Sequence, residues 1–406
     1  MESETTQRGS KTKKMKKIRQ YFFIILLALA AGLLGYNYFY RPFEIVQTNV
    51  VQMGDENQEV SEQIKNTPEY ILSKLSTQEK ISQLIASPVS VGEYFAQDEQ
   101  ATDSAEVLEL KTGFYTLFGK EISAIQAQEV ILDIREKNAV SNVRPYIAVD
   151  HEGGSVQRLS GQGFTKLDSW KELCALETVD RKAALKQSAN ELRKVNVDIV
   201  FAPVLDVGAN AILKDRICSA DSYAIVADRS MDYVTIFANV GIMPVLKHFP
   251  GIGLTKKDLH KEYDFVSVLE NDVKLYKYII DQNKRVGVMT AHVGVTSQDK
   301  EIPCSVSPYC VSELNKAYPN ILVFTDALEM YAALYDFNNP KVPKSLTQVS
   351  KEAVLAGNNV LVFGQSVTQE DLSAIVTELS KEYESNPAVK SLVDKSVLKI
   401  IEYKVL

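Results

Sequence analysis

Histidine, cysteine and tryptophan are scarce in this chain of 406 residues, with four, four and one copies respectively. No Cys-x-x-Cys pair occurs, which excludes the zinc ribbons and thioredoxin-like centres built on that spacing. Neither Gly-x-Gly-x-x-Gly nor a P-loop is present, so nothing supports a dinucleotide or nucleoside triphosphate, and no cofactor is expected. His-Glu-x-x-His is absent too, and the Asp, His and Glu residues of interest follow different apolar runs, so no metal site is expected. A basic excess is also missing from the bulk of the chain. The net charge is −7, yet residues 1–20 hold seven Lys/Arg against two Glu, so the remainder is more acidic than the total and is a poor partner for nucleic acid. Cys174, Cys218, Cys304 and Cys310 belong to a chain large enough to bury its own core without staples. They read as structural thiols, with no bridge assigned.

One uncharged run does stand out. Tyr21 to Tyr40 is about the length a helix needs to cross a bilayer, with Tyr and Phe at both ends as interfacial anchors. The Lys/Arg excess on its N-terminal side predicts a basic cytoplasmic tail (1–20), a single transmembrane anchor (21–40) and an extracytoplasmic remainder at the cell membrane. Ala28-Leu29-Ala30 is a small-x-small site that would instead give a secreted form if cleaved, although the apolar run continues well beyond it. No cysteine lies near the run to carry a lipid. Residues 41–65 are polar and read as a stalk, leaving residues 66–406 as one domain.

From Pro68 onward, short apolar runs alternate with amphipathic stretches. Eight strands are expected: Ile81–Val89, Gly113–Phe118, Pro145–Val149, Val197–Phe201, Ile242–Leu246, Val286–Met289, Ile321–Phe324 and Asn359–Phe363. Helical stretches such as Ser123–Lys137, Arg181–Val195, Ser222–Asn239, Val273–Lys284 and Leu346–Ala356 separate them. Eight strands alternating with helices predict an α/β fold, a single (β/α)8 TIM-type barrel; a doubly wound open sheet is the alternative.

Barrel enzymes build their sites at the C-terminal strand ends, so the residues just after each run carry the functional signal. Five consecutive runs end in ionisable residues: Asp150-His151-Glu152-Gly153-Gly154, Asp206, Lys247-His248, His292 and Asp326. Three of the four histidines closely follow a strand-like run, and His suits acid/base work near neutral pH. Asp326 has a plain alternative as a helix N-cap, and Asp150 with Arg158 as an internal ion pair. Arg216, in the long loop after the fourth strand, reads by itself as a surface residue.

Taken in order, Asp150-His-Glu-Gly-Gly-Ser-Val-Gln-Arg158, Lys247-His-Phe-Pro-Gly-Ile-Gly253 with Asp258-Leu-His260, and Phe324-Thr-Asp-Ala-Leu-Glu-Met330 resemble glycoside hydrolase family 3. Within it they resemble the β-N-acetylglucosaminidase branch that acts on peptidoglycan, over about residues 66–366. The resemblance implies that Asp326 is the nucleophile, His260 the general acid/base and Asp258 its dyad partner. It also implies that Asp150, Arg158, Arg216, Lys247 and His248 hold an N-acetylglucosamine ring. The expected partner is therefore a glycan containing that sugar; the oligomeric state is left open. A phosphorylase, a non-catalytic wall-binding relative and an unrelated metal-dependent barrel hydrolase are the alternatives. Departures from the family pattern fall at Ser155 (usually Arg), Ile252 (often His), Leu259 (commonly Ser) and Ile217-Cys218 (usually Ser-Phe). No catalytic position is lost, but the loops that border the outer subsites differ.

Overall fold

The computed structural model describes residues 67–98, 110–139, 143–267, 270–297 and 301–405. The basic tail, the anchor at 21–40 and the stalk at 41–65 lie outside these residues. Among the described residues, no helix is long and apolar enough to cross a membrane.

Eight parallel strands form one sheet: β1 Ile85–Ser90, β2 Phe114–Phe118, β3 Tyr146–Val149, β4 Ile199–Val200, β5 Met243–Phe249, β6 Gly287–Thr290, β7 Leu322–Thr325 and β8 Leu361–Val362. Strands β1 to β7 pair in sequence order. The eighth then pairs with β1 through Ile85↔Leu361 and Ala86↔Val362, and the Phe324↔Val360 bridge brings β7 to the same segment. The sheet is a nearly closed barrel, consistent with the TIM type and not with an open doubly wound sheet. Helices such as Ala124–Lys137, Thr178–Lys194, Tyr223–Asn239 and Leu346–Ala356 cross between the strands.

The period-2 alternation of a strand sorts its residues between two cores. Met243 and Val245 of β5, and Leu322 and Phe324 of β7, point into the barrel, whereas Leu246 and Val323 join the cluster between strands and helices. Phe324 fills the barrel centre, edge-on to Phe114 and Phe201 at 5.9 Å each. Gly287 makes room for it, since a Cβ there would come within 2.7 Å of the Phe324 ring. The helix Pro387–Val405 seals the opposite end. Its Lys404 ammonium donates to Gly113 O at 2.7 Å and to Gln83 Oε1 at 2.9 Å, over the Phe114 ring. Burial lowers that amine to about 7.

Three expectations need correction. Ile81–Gln83 end a helix, Thr77–Gln83, instead of opening the first strand. The reason is local, because Ser76 and Glu79 form a reciprocal capping box that starts a helix four residues before the apolar run. The fifth strand continues past Leu246 through Lys247 and His248, held by Lys247 N to Pro203 O and Leu205 N to Lys247 O. Lastly, the cysteines are bridged, Cys174 to Cys218 and Cys304 to Cys310, with Cα separations of 5.5 and 5.3 Å. The first pair lies 44 residues apart, and only the return of the Arg216 loop over the helix Trp170–Ala175 brings it together.

Candidate active site

The C-terminal ends of the strands open onto a cavity of about 370 Å³. Asp150, Arg158, Arg216, Lys247, His248, His260 and Asp326 all line it, so seven of the eight residues singled out in the sequence meet there. The eighth, Asp258, contacts His260 from behind.

A residue not singled out holds the polar wall together. Glu152 sits at the start of a small hairpin, His151–Gly153 with Val156–Gln157, immediately after β3. The turn needs its two glycines, because Gly153 and Gly154 have φ of +94° and +57°, and a Cβ on Gly153 would meet Asp168 O at 2.2 Å. Glu152 thereby faces inward and accepts from Arg216 Nε at 2.8 Å, Arg216 Nη2 at 2.9 Å and Lys247 Nζ at 2.6 Å. Lys247 also reaches Asp150 at 3.0 Å, and Arg158 approaches the other Asp150 oxygen at 3.4 Å. Burial by itself would raise the Glu152 carboxyl, but the Arg216 and Lys247 charges beside it hold it at about 2. Asp150 and Glu152 in turn keep the buried Lys247 ammonium above its ordinary value despite the cost of burial.

Removing Glu152 would leave the part-buried Arg216 guanidinium without its carboxylate and the buried Lys247 with Asp150 alone, and breaking a buried pair costs roughly 3–5 kcal/mol. Glu152→Ala is therefore expected to lower the unfolding midpoint in urea sharply while leaving secondary structure intact. The pH dependence comes from the same carboxyl. Its folded value of about 2 lies below the ordinary 4.5, so its stabilisation is present above pH 4.5 and is lost as pH falls towards 2. The variant should accordingly lose less stability than the parent on acidification; a parallel loss in both would show that Glu152 is not the group responsible.

His248 extends the wall. Its Nδ1–H donates to Asp206 Oδ2 at 2.7 Å, which leaves Nε2 towards Arg216 Nη2 at 3.5 Å. The second Asp206 oxygen accepts from Ile252 N at 2.7 Å, so one buried carboxylate ties the histidine to the loop after it. That loop can approach because residue 253 is glycine: a Cβ there would lie 2.1 Å from Val207 O. Asp206 was legible only as a polar strand end, and its partner lies 42 residues away.

Asp326 lies at the end of β7 and accepts from the Ala327 amide at 2.8 Å. Burial would raise it, but the rings of His248 and His292, that amide and the Lys247 charge hold it below the usual carboxylate range. The fate of the N-cap alternative is plain. The next helix, Tyr331–Leu334, starts five residues later with Met330 before it. Glu329, also lining the cavity, behaves in the opposite sense. Burial first and Asp326 nearby push its carboxyl up, while it accepts from Gly364 N at 3.0 Å.

The remaining histidines separate cleanly. On an exposed loop, His260 has Nδ1 3.0 Å from Asp258 Oδ1, and its own backbone N–H donates to the same oxygen at 3.1 Å. The Asp258 carboxyl sits partly buried, yet these two bonds and Lys261 keep it below its ordinary value. His292 is buried between Ser305 Oγ at 2.7 Å and Ala327 O at 2.8 Å, so it fixes the segment after Asp326 from below. His151 is a core residue, bonded to Ser188 Oγ at 2.6 Å, and burial takes its ring down to about 3.

Comparison with known proteins gives the family and the fold. The model of the glycosyl hydrolase family 3 N-terminal domain matches residues 76–402. A β-hexosaminidase of Actinobacillus succinogenes is 34% identical over 224 residues, spanning 51% of this chain and 62% of its own length. That of Haemophilus influenzae (strain Rd) is 32% identical over 250 residues, spanning 58% and 68%. The chain thus spans about three fifths to two thirds of these relatives. Among solved structures, a family 3 glycosyl hydrolase from Mycobacterium smegmatis has a TM-score of 0.68 at 24% identity, covering 82% of this chain and 98% of that one. A β-N-acetylhexosaminidase from Beutenbergia cavernae has a TM-score of 0.70 at 20% identity, covering 82% and 99%. At those identities the likeness is one of fold.

Proposed function

Because the chain belongs to the family of the glycosyl hydrolase family 3 N-terminal domain, we propose that it is a retaining exo-β-N-acetylglucosaminidase acting on peptidoglycan-type glycans. One observation carries the reading: a single cavity holds the half-buried Asp326, its carboxyl kept below the usual carboxylate range, together with His260, whose imidazole is paired with Asp258.

In the first step an Asp326 oxygen attacks the anomeric carbon, and the C–O bond to the leaving group breaks as protonated His260 gives its proton to that oxygen. The product is a covalent glycosyl-aspartate. In the second step neutral His260 takes a proton from water, whose oxygen attacks the same carbon and releases Asp326. Two inversions give net retention. Asp258 holds the imidazole by Nδ1–H, so the other nitrogen carries the exchanging proton, and its charge stabilises the imidazolium. Asp150, Arg158, Lys247, Arg216 and His248 offer donors and acceptors at fixed positions to the sugar hydroxyls.

The reading also places the barrel outside the cell membrane, on the strength of the Lys/Arg excess before residues 21–40.

The test is the anomer released first from nitrophenyl β-N-acetylglucosaminide, monitored by proton NMR. The β-anomer is expected. The α-anomer or no nitrophenol at all would overturn the proposal, and a glycosyl phosphate formed only with added phosphate would replace it with the phosphorylase reading.

A further inference from the structure

Four aromatic rings gather beside the loop that carries His260. Tyr263 and Tyr335 stack face to face, 4.9 Å between centroids and 7° apart in plane. Tyr331 leans on Tyr335 at 5.9 Å, and Phe337 meets it edge-on at 6.3 Å. Tyr263 is 8% exposed and acts as the base, whereas Tyr331 and Phe337 are 38% and 39% exposed. Three adjacent large rings thus reach towards the surface while packed against one another.

The cluster is continuous with the cavity on both chain segments that build it. Met330 lines the cavity, and Tyr331 comes directly after it. His260 lines it as well, three residues before Tyr263, and Ala332 N donates to Leu259 O at 3.1 Å to lock the two segments together. The layer beneath the rings is also informative. Ile217, Ile252 and Leu259 pack with Tyr263 and Met330 into one apolar cluster that Tyr335 covers. Together these side chains build the support for the rings.

We propose that Tyr331, Tyr335 and Phe337 form a stacking platform for the leaving-group side of the substrate, a subsite for the second and third pyranose rings of a glycan. This rests on the hexosaminidase reading above. His260 must touch the glycosidic oxygen, so the sugar on the far side of that oxygen lies over the His260 loop and the rings packed against it. A pyranose ring presents an apolar C–H face, and a fixed aromatic surface accepts such a face with little ordering cost.

The experiment compares the double variant Tyr331→Ser/Phe337→Ser with the parent on three substrates: β-N-acetylglucosaminyl azide, whose leaving group ends at the pocket mouth, and the β-1,4-linked di- and trisaccharides. The ratio of kcat/KM, variant to parent, should stay near unity for the azide and fall roughly 10-fold for both oligosaccharides, carried by KM. Azide hydrolysis also reports folding; if the double variant loses it, each single variant carries the same comparison, with a loss of roughly 3-fold expected per ring. Equal ratios on all three substrates, in a parent that is active, would overturn the platform alone. A parent inert on all three would remove the hexosaminidase reading and the platform with it. A parent that sediments as a dimer, and a double variant that sediments as a monomer with unchanged oligosaccharide ratios, would assign the rings to a second copy of the chain and overturn the proposal.

Discussion

Asp326→Asn is expected to fold normally and to lose turnover almost completely. The swap is nearly isosteric, and the Asn oxygen still accepts from the Ala327 amide that the carboxylate now holds at 2.8 Å. Only the attacking charge disappears. Loss of a covalent nucleophile is worth on the order of 10⁶-fold in kcat, and stopped assays with nitrophenyl β-N-acetylglucosaminide would register it as no release above the uncatalysed rate. The same carboxyl sets an expectation for the parent. It must be ionised to attack, and His248, His292, the amide and Lys247 keep it below the usual carboxylate value of 3.8 against the effect of burial. Activity should therefore not be cut off on the acid side by Asp326 at that value, and any acid limb found above it belongs to another group. A fluorinated glycosyl inhibitor should label Asp326 alone. Labelling of Asp150 or Asp206, or an Asn variant with measurable turnover, would show that the nucleophile is elsewhere.

The barrel was legible because buried parallel strands are written as short apolar runs, and all eight runs became strands. Their ends were less so, for local reasons. The Ser76–Glu79 capping box turned Ile81–Gln83 into helix, and the pairing of Lys247 with the Pro203–Leu205 segment drew the fifth strand through two polar residues. The positions of the site residues were readable from a rule of the fold, since a polar residue just after a barrel strand points into one mouth. The partners were not. Glu152 matters because Arg216 reaches it from 64 residues away, and Asp206 because of His248. Neither contact leaves a trace in spacing. Arg216 alone reads as a surface cation, and only the fold reveals that its guanidinium is held by a buried carboxylate. The Cys174–Cys218 bridge, left unassigned in the sequence, was illegible for a similar reason, because it depends on where the Arg216 loop returns.

His260→Ala tests the other half of the chemistry, and its effect should depend on the leaving group. The imidazole is exposed, 67% of its side chain, and its contacts given by the structure are to Asp258, so removing it disturbs little packing. General acid/base help is worth roughly 10²–10⁴-fold, and a loss of that size is expected on a natural disaccharide, whose leaving oxygen departs poorly without a proton. An activated aryl glycoside needs little protonation, so its first step should be nearly spared. The second step still lacks a base, so the variant should stall as the glycosyl-aspartate, visible as a burst of nitrophenol and then a slow steady state. Azide needs no deprotonation to attack and should restore turnover, giving the β-glycosyl azide. Asp258→Ala should repeat this pattern more mildly, because it removes the group that orients the ring and leaves the ring itself. Equal impairment of His260→Ala on both substrate classes, with no burst and no response to azide, would make His260 a binding residue and place the acid/base elsewhere; Glu329, whose carboxyl burial and Asp326 hold above its ordinary value in the same cavity, would be the next group to replace.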